Sequence, residues 1–296
     1  MFRCEEIVPG VLRLLMARRC FGRDLYPTAC YVIPDAGLMV DSGSAIFAGH
    51  TLNVAKASKV QSVILTHSHE DHTGGAATII SSLRADCFAH NGALQTLSNP
   101  RSLRMPPYRK FMFGTPIATN AMAPPELFHR QGMQFRIIDS PGHSPDHMVV
   151  FEEKRGWLFG GDVFIPVPER VFFRIGCNYA QWVKTLRKMA DLRPERLFTG
   201  MGPMKRNPSR FLKQKADRLT EISEKVMSFH GQGWKDHEIA KKIFPGDLMV
   251  RMITSGEYSA VNIVRACLES PVCMAEPDAK NQEDNNYPTT AGSTTL

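Results

Sequence analysis

The chain has 296 residues, 43% of them hydrophobic, and a formal net charge of +7. That apolar content excludes a disordered chain, and the length suits one large domain or a domain with an appendage. No run of eighteen apolar residues occurs, so the pattern predicts no membrane-spanning helix.

The opening segment, MFRCEEIVPGVLRLLMARRC, has early glutamates and arginines close behind a short apolar run. That is not a signal-peptide pattern. Seven cysteines are scattered without any Cys-x-x-Cys spacing, which reads as reduced thiols of a cytoplasmic protein. Short strands are predicted over 8–15, 29–33 and 38–40, a helix over 46–58, and a strand over 60–65. Val63-Ile64-Leu65 has the unbroken apolar character of a buried strand. It runs directly into Thr66-His67-Ser68-His69-Glu70-Asp71-His72, three imidazoles with carboxylates between them. Gly74-Gly75 and a helix over 76–83 follow. The histidines therefore lie in a strand-to-helix loop, where α/β sheets often carry their chemistry. His67 and His69, two apart in extended chain, can point to one side. Neutral imidazole and carboxylate are donors that suit both zinc and iron.

Residues 87–90 predict the next strand. Segment 98–132 then changes character, with six prolines among arginines and phenylalanines. It reads as a long loop bordering a cleft and selecting substrate, or as a plain surface excursion. A strand over 135–138 leads to Ser140-Pro141-Gly142-His143-Ser144-Pro145-Asp146-His147. Trp157 to Asp162 repeats the pattern with a carboxylate at the strand end. Leu197 to Pro203 repeats it with Met201 where a ligand is expected. Separate loops can thus bring His67, His69, Asp71, His72, His143 and Asp162 to one centre, glycines permitting close approach of backbone.

At these residues the chain resembles the metallo-β-lactamase fold superfamily, whose signature is His-x-His-x-Asp-His followed by a separate His, Asp and His. The resemblance spans about residues 5–210 and includes the turn Asp41-Ser42-Gly43. It implies an α/β fold, a four-layer αββα sandwich. It also implies a first metal on His67, His69 and His143, and a second on Asp71 and His72 with Asp162 bridging. The implied cofactor is zinc, one or two ions, with iron possible. The implied activity is metal-dependent hydrolysis of an ester, lactone, thioester or amide of a small-molecule substrate. Bound zinc lowers the pKa of its water to about 7, and the resemblance implies Asp71 as the catalytic carboxylate that would orient it or accept its proton. Asp41 would support a ligand histidine. His147 would assist the site, contact substrate or serve the loop. One departure stands out: Gly200-Met201-Gly202-Pro203 occupies the family's Gly-His-Gly-Pro. A thioether binds zinc poorly, so the second site is expected to be weak, with Met201 packing against neighbours.

Beyond residue 210, apolar residues at helical spacing (Leu212, Ala216, Leu219, Ile222, Val226) predict a helix over 211–229, with further helices over 236–244 and 255–268. This layout resembles the winged-helix-like extension of the β-lactamase-like 2 branch. It divides the chain into a domain over 1–210, an extension over 211–270 and a disordered tail over 271–296. Segment 184–218 holds eleven Lys or Arg against three Asp or Glu. It is either a footprint for RNA or a solvated helical face. Four functions stay open on sequence: a hydrolase, a single-stranded RNA endonuclease, a mononuclear iron oxygenase of thiols or persulfides using His67, His143 and Asp162, and a non-catalytic member.

Overall fold

Pro9-Gly10 interrupts the strand expected over 8–15. In a computed structural model, which describes residues 1–103, 105–166, 176–202, 207–246 and 248–272, Gly10 takes φ +85°. Strand β1 (Phe2–Val8) folds back there, antiparallel to β2 (Val11–Cys20). Strands β3 (Arg23–Ile33) and β4 (Leu38–Val40) continue antiparallel, and β5 (Ser62–Leu65) and β6 (Asp86–Ala89) add in parallel. Parallel neighbours need crossovers. Helix α1 (Ala48–Ala57) supplies the first, and α2 (Glu70–Thr73) with α3 (Ala76–Leu83) the second.

Segment 98–132 is more ordered than a loop. After α4 (Leu94–Ser98) it holds a 3-10 turn (Pro100–Ser102), helix α5 (Pro107–Phe113) and strand β7 (Leu127–Arg130). Its prolines obscured this in the sequence, yet Pro107 sits at the first helical turn, where its missing N–H costs nothing. Strands β8 (Met133–Asp139), β9 (Met148–Glu152), β10 (Trp157–Gly161) and β11 (Arg196–Thr199) complete a second sheet ordered β11-β10-β9-β8-β7. Helix α6 (Tyr179–Asp191) carries the chain from β10 to its parallel neighbour β11.

The period-2 alternation of strands builds four layers. Val63 and Leu65 face α1 and α3, packing with Ala55 and Ile79. Ile64 faces the other way, into a core between the sheets with Tyr31, Phe135, Phe159 and Phe198. Val149 and Leu158 pack outward against Trp182 and Leu186 of α6. The order is helix, sheet, sheet, helix, the αββα sandwich expected.

The extension comprises α7 (Pro208–Gly231), α8 (Asp236–Ile243), α9 (Leu248–Ile253) and α10 (Ala260–Glu269). The helix expected from 255 begins five residues later. Ser255 and Gly256 have φ +52° and +82°, incompatible with a helix, and Ser259 caps the true start by accepting from the Val261 N–H. Leu212, Ala216, Leu219, Ile222 and Val226 are all buried, in one cluster with Trp182 and Leu158. Tyr179 Oη donates to the Leu219 carbonyl at 2.9 Å. From residue 273 the tail expected to be disordered lies outside the described residues. Among the described residues six cysteines are free, and no helix is long and apolar enough to cross a membrane.

Because α7 shares its apolar cluster with α6 and the second sheet, Leu219→Ala is expected to cost about 2–5 kcal/mol. Urea unfolding followed by tryptophan fluorescence and by circular dichroism should shift together. A shift in the helical signal alone would mean that the extension unfolds separately.

Candidate metal centre

The centre starts at a turn, not at a histidine. Asp41 follows β4 in the left-handed region, φ +59°. Its carboxylate is 2% exposed and accepts from Thr66 N–H at 2.7 Å and from Thr66 Oγ1 at 3.0 Å. It also accepts from His72 Nδ1 at 2.7 Å. The turn after β4 is thereby tied to the end of β5, and His72 is left with Nε2 facing inward. Thr66 Oγ1 lies 3.0 Å from His67 Nδ1. With its own hydrogen on Asp41, that oxygen accepts the Nδ1–H and leaves a lone pair on His67 Nε2.

Three imidazole nitrogens then converge. His69 Nδ1 lies 2.9 Å from His67 Nε2 and 3.1 Å from His143 Nε2. Burial, then the nearby His72 and His69, hold His67 well below its ordinary pKa, so the ring is neutral. Neighbouring nitrogen lone pairs repel unless a proton or cation lies among them. A tetrahedral zinc at about 2.0–2.1 Å from nitrogen would set its donors about 3.3 Å apart. The observed spacing is close to that edge.

A second group shares His67 and adds His72 and Asp162. His72 Nε2 and Asp162 Oδ1 stand 3.4 Å apart, both buried and neither with a hydrogen bond of good geometry. Asp162 Oδ2 faces His143 Nε2 at 3.5 Å. One carboxylate thus addresses both groups. Burial opposes charge on His72, but Asp41, Asp162 and Asp71 outweigh it and raise its pKa. Burial likewise opposes charge on Asp162, and His72 and His143 hold it low. Asp71 stands beside this group, 3.8 Å from His72 Nε2, and burial pushes its carboxyl up to about 7. Buried donors without hydrogen-bond partners and three convergent imidazole nitrogens fit a metal ion; among these residues Asp71 lies outside both clusters.

Two glycines permit this crowding. Gly161 has φ +47°, and a Cβ there would lie 2.6 Å from Thr66 Oγ1. A Cβ on Gly200 would lie 2.3 Å from Asp162 Oδ1. The next residue, Met201, turns into the apolar cluster of α6 and α7. His147 is a brace: Nδ1 bonds Ser140 Oγ at 2.7 Å and Nε2 accepts from the Asp162 N–H at 3.1 Å. Burial pushes it down to about 3, so it is neutral.

Several neighbours escaped the sequence pattern. The Tyr26 hydroxyl is hydrogen-bonded to Tyr258 of the extension; burial first, then Tyr258, Asp71 and Asp162, push its pKa well up. Arg109 of α5 is buried against Glu70 and Glu257. None of these shares a motif with the histidines; only the unusual density of arginine and aromatic residues in 98–132 hinted at a role. The basic segment 184–218 is spread over α6, β11 and α7, with 203–206 outside the described residues. Some of its cations meet acidic or carbonyl groups: Arg187 to Asp217 and Lys213 to Asp191 at 3.8 Å, and Lys188 to the Asp139 carbonyl at 3.2 Å.

The chain is similar to several known proteins. A beta-lactamase-like protein 2 homolog of Drosophila melanogaster is 27% identical over 198 residues, 62% of this chain and 59% of that protein. An atrochrysone carboxyl ACP thioesterase of Aspergillus terreus is 30% identical over 168 residues, 53% of this chain and 45% of the relative. The chain spans about a third to three-fifths of the length of the curated relatives it matches. A metallo-beta-lactamase family protein of Thermus thermophilus superposes with a TM-score of 0.66 over 89% of this chain and 93% of its own, at 17% identity, a likeness of fold. The family model described as the metallo-beta-lactamase superfamily matches residues 23–201, more than half of the sequence, and the chain belongs to that superfamily.

Proposed function

We propose that the chain is a metal-dependent hydrolase of acyl bonds, esters or thioesters, with zinc held by His67 Nε2, His69 Nδ1 and His143 Nε2. The observation that carries this is the convergence of those three nitrogens at 2.9 and 3.1 Å. Similarity to a protein named a thioesterase supports the acyl bond as target. Bound zinc supplies a water of lowered pKa, about 7, and polarises an acyl oxygen.

The chain's own residues do the rest. Asp41 holds His72 in one tautomer and orientation through Nδ1. His147 and the Asp162 backbone N–H hold the Asp162 carboxylate between the two groups. Asp71, buried and 3.8 Å from His72 Nε2, orients the attacking water and accepts its proton. His72 and Asp162, with Asp71 beside them but outside the cluster, form a weaker second set, because Met201 contributes no strong donor.

Elemental analysis tests the assignment. His143→Ala should lose the first-site zinc and the ester and thioester activity while keeping its circular dichroism; full retention of zinc would overturn the ligand set. Asp41→Asn should weaken zinc affinity about 10–100-fold in competition with a chelating dye. Met201→His should raise zinc content toward a second ion per chain and increase hydrolysis. Unchanged stoichiometry would show that the side chain at 201 is held in the apolar cluster whatever its chemistry.

A further inference from the structure

The hairpin between β2 and β3 ends in a turn whose sequence runs against its geometry. Cys20 pairs with Arg23, so Phe21-Gly22 is a two-residue loop. Phe21 has φ +47° and Gly22 φ +74°. Positive φ at both positions marks a type I′ turn, which favours Asn-Gly because most residues with a Cβ are strained in the left-handed region. Phe21 bears that strain and is 98% exposed. The fold gains nothing from this ring, in backbone geometry or in burial. An outlier of this kind points to a partner outside the chain.

The hairpin does not address the metal centre's cavity. That cavity, of about 280 Å³ beside His69 and His143, is lined by no described residue from 18–26. The arm rests instead on α5. The Tyr26 ring meets Phe113 edge-on at 5.5 Å, and the Arg18 guanidinium lies 4.3 Å from the ring centre of Phe111, itself 48% exposed. The tip beyond these contacts is basic. Arg18, Arg19 and Arg23 flank Phe21, and exposed Lys110 lies beside Phe111 in α5. Segments 18–24 and 107–113 hold one acidic residue, Asp24, which pairs with Arg19 at 2.9 Å.

An apolar ring among cations suits the boundary between headgroups and acyl chains. A protein partner fits poorly. A stable interface takes about 800 Å² from each side, and a phenylalanine supplies about 150–250 Å². A fluid bilayer closes around a single ring, and anionic headgroups gather at basic side chains without a shaped complement.

We propose that the Phe21-Gly22 tip docks the protein peripherally on anionic lipid bilayers, with Phe21 entering the acyl boundary while the arginines around it and Lys110 meet the headgroups. Docking is weak and reversible, since one inserted side chain and a few cations stand at the low end of what anchors a protein. It needs neither metal nor turnover and so does not rest on the hydrolase proposal.

Sedimentation of the full chain with sucrose-loaded vesicles tests this, comparing phosphatidylcholine alone with a mixture of phosphatidylcholine and phosphatidylserine. The wild-type protein should partition onto the mixed vesicles, and less so as salt rises. Phe21→Asn installs the residue that the turn prefers. It should unfold at no lower temperature than wild type, yet lose about tenfold or more of the partitioning. Arg23→Gln should cost about fivefold on mixed vesicles. Phe21→Trp should add a blue-shifted, vesicle-dependent component to the tryptophan emission. No partitioning by wild type, equal partitioning by Phe21→Asn, or equal binding to both kinds of vesicle would overturn the proposal. So would a wild-type dimer that Phe21→Asn disperses in sedimentation velocity without any vesicle binding, which would assign the tip to a second copy of the chain.

Discussion

Asp41 is the residue on which the centre depends. A left-handed backbone is disfavoured by roughly 1–2 kcal/mol for residues with a Cβ. The same conformation lets one buried carboxylate accept from the Thr66 backbone, the Thr66 hydroxyl and His72 Nδ1. Hydrogen bonds to charged groups contribute about 1.5–3 kcal/mol each, so the network outweighs the strain. It sets the histidine loop rigidly on the end of β5 before any ion arrives. It also fixes which nitrogens are free, since His67 gives Nδ1 to Thr66 and His72 gives Nδ1 to Asp41. Tautomer choice is thus decided by backbone geometry at a turn well upstream of the histidines.

The rest of the centre is assembled around that fixed loop by parts that must come very close. Gly161 and Gly200 let two strand ends of the second sheet press against Thr66, His72 and Asp162. Trp182 of α6 lies edge-on to His143 at 5.4 Å, and its indole donates to the Val163 carbonyl. Both sheets therefore meet at the donors. The two groups are not equal. The histidine triad is complete in itself, whereas the second set lacks a strong donor from 201, because Met201 gains more from the apolar cluster than a thioether gains from zinc.

Arg109 shows how segment 98–132 and the extension join this frame. A buried ion pair is weak evidence for stability, because desolvation offsets attraction, but it does enforce registry. Glu70 stands in the histidine run itself, and Glu257 stands just before α10. Between them they fix α5 against the mouth of the centre.

The sequence alone determined the alternation of buried strands and helices and the placing of histidines and carboxylates at strand ends; the four-layer order and the ligand roles were implied by resemblance to the superfamily. The first part follows from local pattern, since unbroken apolar runs mark buried strands and polar donors directly after them mark loops at the sheet edge. The sequence misjudged Pro9-Gly10, segment 98–132 and the start of α10, where prolines and glycines carry positional meaning that composition blurs. Tertiary structure alone decided that Asp41 serves Thr66 and His72 together and that His147 is a brace. It alone decided that Tyr26, Arg109, Glu257 and Tyr258 gather near the centre. Those partners lie far apart in the chain. Their meeting is set by sheet order and by packing of the extension, and no periodicity or spacing along the sequence encodes which distant side chain will fill a given buried hydrogen-bonding position.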